Sequence, residues 1–97
     1  MQVTVTINSV EQKFPGGIVG GDWKISVALA SDPSTSVADY QGPNPSTNFD
    51  LSDGDIVQIR GMRLDAAGDV VGPIITTQYT VGEDLVPVQV ADSISAV

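Results

Sequence analysis

The densest group of side chains able to do chemistry is the run Asp50-Leu51-Ser52-Asp53-Gly54-Asp55, a D-x-x-D-G-D pattern. Clustered carboxylates of this kind invite calcium, which takes about six to eight oxygens at roughly 2.3–2.6 Å. The ligand order of an EF-hand loop is not present. The spacing predicts instead a tight turn in which aspartates cap backbone N–H groups. Asp65 and Asp69, on either side of Ala66-Ala67-Gly68, carry the same expectation.

Other catalytic chemistry has little to draw on. The chain of 97 residues holds no histidine and no cysteine, so the usual base matched to neutral pH is missing, together with thiol nucleophiles, disulfides and thiolate metal sites. A serine–lysine pair would have to use Lys13, in a glycine-bounded loop, or Lys24, on a solvent-facing strand position. Paired carboxylates can cleave glycosidic bonds, but they need a walled cleft that short loops do not build. The expectation is a protein that is not an enzyme, with no catalytic residue, metal or cofactor. Trp23, Tyr40 and Tyr79 are the candidates for a sugar-stacking face. With five aromatic residues in the chain, core packing has the stronger claim on them.

Charge narrows the partners. The formal net charge is −8, with Lys13, Lys24, Arg60 and Arg63 as the whole basic complement. Binding to nucleic acid requires cations that neutralise phosphates, and anionic membranes make the same demand, so neither is expected. The acidity reads as a solubility device. No apolar run approaches the roughly 20 residues of a membrane helix. The start, M-Q-V-T-V-T-I-N, has no basic and apolar signal regions. If Met1 is the true start, the expectation is a small protein made in the cytoplasm and not secreted by a signal peptide.

The elements that must position these residues are strands. Val3, Val5 and Ile7 alternate with Thr4, Thr6 and Asn8. Trp23, Ile25, Val27 and Leu29 alternate with Lys24, Ser26 and Ala28. A period of two in β-branched sequence predicts half-buried strands. A short strand is expected at Ser36 to Gln41, a re-entry at Asn48 to Leu51, and the longest strand at Asp55 to Leu64, with Val57 and Ile59 inward. The phase becomes ambiguous at Gly61, where a bulge would turn Met62 and Leu64 inward. Asp65 to Asp69 suits a hairpin with a left-handed glycine. Gly72-Pro73 interrupts the return before Ile74 to Val81. Val86, Val88 and Val90 then alternate with Pro87, Gln89 and Ala91, followed by Ile94, and Pro87 assigns this stretch to an edge. Several short strands with regular turns, and no helical period, predict a single all-β domain.

The run Leu51 to Pro73 resembles the E–F–G region of a fibronectin type III or related immunoglobulin-like domain. The matching features are Leu51, the turn Asp53-Gly54, the strand Val57 to Leu64 and the loop holding Gly68. Ile25-Ser26-Val27-Ala28-Leu29 before Asp32-Pro33 is similar to the family's B strand. The family's aromatic corner falls on Val57, and its B-strand tryptophan position falls on Leu29. The resemblance implies an immunoglobulin-like antiparallel β-sandwich of about seven strands. It divides the chain into a sandwich over 1–82 and an edge strand or arm over 83–97.

In composition and layout the chain also resembles small immunoglobulin-like structural proteins of tailed-phage virions, including head decoration (cement) proteins. That likeness implies a virion location, a major capsid protein or other virion subunits as partners, and assembly into a homo-oligomer. A valine-rich edge can add a strand to a neighbour, which makes Val86, Val88, Val90 and Ile94 the expected partner contacts. Closure of the chain's own sheet by the same segment is the competing reading. The alternative function is a carbohydrate- or receptor-binding module of a tail fibre or bacterial surface protein.

Overall fold

The computed structural model describes residues 1–8, 21–86 and 93–97. The described residues form seven strands and no helix: β1 (Gln2–Asn8), β2 (Trp23–Leu29), β3 (Ser36–Gly42), β4 (Ser46–Asp50), β5 (Ile56–Leu64), β6 (Val70–Thr80) and β7 (Ser93–Ala96). They build two antiparallel sheets, with strand orders β4-β1-β7 and β3-β2-β5-β6. The protein is an antiparallel β-sandwich.

The alternation in the sequence explains the core directly. Successive side chains of a strand point to opposite faces, so one set from each sheet meets in the middle. Val3, Val5 and Ile7 of β1, Ile25 and Val27 of β2, and Val57 and Ile59 of β5 are all buried in one cluster. Phe49, Leu51, Tyr79, Val81, Ile94 and Ala96 complete it, with Trp23, Leu29 and Tyr40 packed on its margin. The opposite faces of the same strands carry Thr4, Thr6, Lys24, Gln58 and Arg60, none of them buried. No polar or charged side chain is buried among the described residues.

An irregularity does interrupt the β5–β6 ladder at Gly61, as the sequence suggests, and Leu64 beyond it is buried while Met62 is half-buried. Gly61 pairs with Ile75 and Arg63 with Val71, so Met62 alone faces Gly72 to Ile74 and the two extra residues belong to β6, while β5 pairs with β2 without a break. Gly72 adopts φ of 79°, a left-handed conformation that suits a bulge. The return strand therefore runs through Gly72-Pro73 rather than starting after it. Gly61 is a glycine for another reason: a Cβ there would sit 2.8 Å from Cδ1 and from Cγ1 of Ile7. The core of the facing sheet rests on bare backbone at that point.

The strand neighbours are what the alternation leaves open. β2 lies between β3 and β5 in the four-stranded sheet, and β1 lies between β4 and β7 in the other, so the last described strand pairs with the first. A period of two tells which face a strand buries and not which strand lies beside it.

Candidate binding surface

The C-terminal segment divides into parts with different environments. β7 pairs with β1 within the same chain, matching Val5 with Ala96 and Ile7 with Ile94. Thr4 and Val97 exchange main-chain hydrogen bonds of 2.8 and 3.1 Å, and Leu85 and Ala96 do so at 2.8 and 2.9 Å. Ile94 is 2% exposed and belongs to this chain's own core cluster. Val86 is 70% exposed, before the residues over which the expected contacts Val88 and Val90 fall; those two lie outside the described residues. Of the four expected partner contacts, Val86 presents its side chain at the surface and Ile94 does not.

The aromatic candidates do not share a face. Tyr79 is in the core. Tyr40 lies across the backbone of Gly42, where a Cβ would approach its hydroxyl oxygen to 2.5 Å, and that oxygen accepts the backbone N–H of Asn44 at 3.2 Å. The tyrosine thereby ties down the β3–β4 turn. Trp23 is half-buried, directly across the ladder from Arg63, whose guanidinium carbon lies 4.8 Å from the ring centroid. Such a cation–π pair contributes about 0.5–1 kcal/mol at a partly exposed site.

The aspartates act locally. Asp65 Oδ1 accepts the backbone N–H groups of Ala67 and Asp69, both at 2.9 Å, and closes the hairpin tip around Gly68, whose φ is 88°. The Asp50 to Asp55 stretch is held by main-chain bonds: Gly54 N–H donates to the Val81 carbonyl and Val81 N–H to the Asp55 carbonyl, each at 2.9 Å. Gly82, with φ of 100°, leaves room for the Asp53 carboxylate directly against its backbone. Among the described residues no three acidic side chains converge as a metal site would require. On the outer face of the four-stranded sheet, Ser26 Oγ donates to Asp39 Oδ1 at 2.8 Å.

Sequence reading missed the collective placement of the charge. The turns after β2, β4 and β6 meet at one end of the sandwich, as the bonds from Ala30 to Ile56 and between residues 54–55 and Val81 show. Asp32, Asp50, Asp53, Asp55, Glu83 and Asp84 all lie there. Among the described residues their only cationic company is the Met1 ammonium, 3.1 Å from Asp50 Oδ1 and 2.6 Å from the Leu51 carbonyl oxygen. Lys24, Arg60 and Arg63 sit within β2 and β5, away from that end. No family model, curated protein or solved structure matches the chain.

Proposed function

We propose that this protein is a non-enzymatic structural subunit of a virion, a phage head decoration protein that binds the assembled capsid shell. The observation that carries the reading is its surface. A two-layer sandwich spends its buried side chains on its own core, yet leaves strand edges and separate apolar side chains outside. β3 and β4 are outer strands of the two sheets along one flank among the described residues. Val37, Ile56, Ile74 and Val86 are each about half exposed or more. Main-chain edges and small apolar contacts are weak singly, and a lattice of identical binding positions multiplies them.

The net charge of −8 supports the same reading, because it holds free subunits apart until they meet a surface that compensates it. The resemblance to small immunoglobulin-like virion proteins agrees with the sandwich architecture. A glycan-binding role draws less support, since Trp23, Tyr40 and Tyr79 are divided between a cation–π pair, a turn anchor and the core.

Co-sedimentation with purified capsids tests the proposal. Saturable binding should raise the temperature at which the shells open. Absence of binding to intact and expanded shells, with a glycan-array signal that disappears in Trp23→Ala, would replace it with the carbohydrate reading.

A further inference from the structure

The acidic end of the sandwich also carries a recess with an apolar floor and a polar rim, and the two features together point to a partner. The recess, of ≈ 220 Å³, opens where β3 and β4 diverge. Leu29, Leu51 and Val57 floor it, Val37 forms an exposed wall, and Asp50 and Asp55 stand at its rim. A broader recess of ≈ 650 Å³ shares Leu29 and Asp55 with it and continues past Ala30 to the exposed Ile56 and to Gln78. The result is one path across the end: a slot with an apolar floor, a polar rim of Asp50, Ser52 and Asp55, and a shelf beyond. An apolar cavity of about 150 Å³ holds a benzene ring, so the slot admits one aliphatic or aromatic side chain.

We infer that this path docks an extended protein segment that inserts one apolar side chain into the slot and sets lysine or arginine beside the carboxylates. Charge decides the class of partner. Asp50 and Asp55 line the path, four more carboxylates and the Met1 ammonium lie at the same end, and no lysine or arginine lies there among the described residues. An acidic or neutral segment would add repulsion or leave that field uncompensated. A basic one gains from it, while the apolar anchor supplies the part of the affinity that salt does not screen. The molecule measures 38 × 27 × 20 Å. At about 3.3 Å per residue, a segment of roughly eight residues crosses an end of this size. The inference does not depend on the particle reading, because it concerns only the chemistry of this surface.

The test is a methyl-NMR titration of the whole chain with a synthetic peptide of about eight residues, long enough to span the end, carrying lysines, threonines and one central leucine. The methyl signals of Leu29, Val37, Leu51 and Val57 should move together. Replacing the peptide leucine by alanine should weaken binding about tenfold or more, given what burying a leucine is worth. Asp55→Asn should weaken it about two- to fivefold at low salt, the range of an exposed ion pair. Val37→Lys, at a position already exposed, should abolish it while the circular-dichroism spectrum stays unchanged. Equal binding of the leucine and alanine peptides, binding of a glutamate-substituted peptide, or shifts confined to other surfaces would overturn the inference. So would no binding at all, or dimerisation of the protein through these same methyl groups.

Discussion

Removing the Ile94 side chain should unfold much of the protein's margin of stability, although the residue is three positions from the end of the chain. Ile94 is 2% exposed, pairs across the ladder with Ile7, and lies with its Cδ1 3.5 Å from where a Cβ on Gly61 would be. Truncation to alanine deletes Cγ1, Cγ2 and Cδ1. At about 0.8 kcal/mol per methylene the transfer term alone is roughly 2.4 kcal/mol. The cavity adds to it, so the expected loss is about 3–4 kcal/mol, inside the range for buried isoleucine truncations. For a domain of this size that lowers Tm by about 12–32 °C. Equilibrium urea unfolding followed by Trp23 fluorescence and far-ultraviolet circular dichroism measures it.

Ser95→Ala is the control, because Ser95 Oγ makes only a 3.4 Å hydrogen bond with Asn8 Nδ2; its cost should stay within about 0.5 kcal/mol. Both midpoints should be independent of protein concentration, since β7 pairs within its own chain. An Ile94→Ala loss below about 1 kcal/mol would refute the reasoning, because surface-like values mean that β7 is not seated in this core. A midpoint rising with concentration would refute it differently, by assigning the strand to a neighbouring copy.

Other outcomes follow from single contacts. Gly61→Ala should cost about 1–3 kcal/mol as an overpacked site, and combining it with Ile7→Ala should cost less than the sum by at least about 0.5 kcal/mol, measured as a double-mutant cycle. Asp65→Ala should destabilise by about 1 kcal/mol and loosen amide protection at Ala67 and Asp69, whereas Asp69→Ala should be nearly silent. Tyr40→Phe should cost about 0.5–1.5 kcal/mol by orphaning the Asn44 N–H, with faster hydrogen exchange at that amide as the local signature.

The legible parts of this fold are those with local causes. β1, β2 and β5 announce themselves through alternation, and the Asp65–Asp69 tip through an aspartate placed to reach N–H groups two and four residues ahead. Gly61 and Gly72 show the boundary. Each is visible as a break in a strand pattern, but which one carries the bulge depends on the register of β5 against β6. The same holds for Tyr40, whose value as a turn anchor rests on its position over Gly42 rather than on any aromatic pattern. The candidate site was less legible still. The D-x-x-D-G-D run stood out, and it lends Asp50, Leu51, Ser52 and Asp55 to the recess, but Leu29 of β2 and Val37 of β3 complete the lining from strands that no linear spacing groups with it.

By itself the order of residues determined an acidic all-β chain without histidine or cysteine, and it determined which faces of β1, β2 and β5 would be buried. Those outcomes follow from side-chain period and inventory, which are local properties. Only the tertiary structure decided that β7 lies beside β1, that β2 lies beside β5, and that carboxylates from three separate turns share one end with a slot of apolar floor. Pairing between distant strands is chosen by the packing of the whole core, and any surface assembled from several turns inherits that choice.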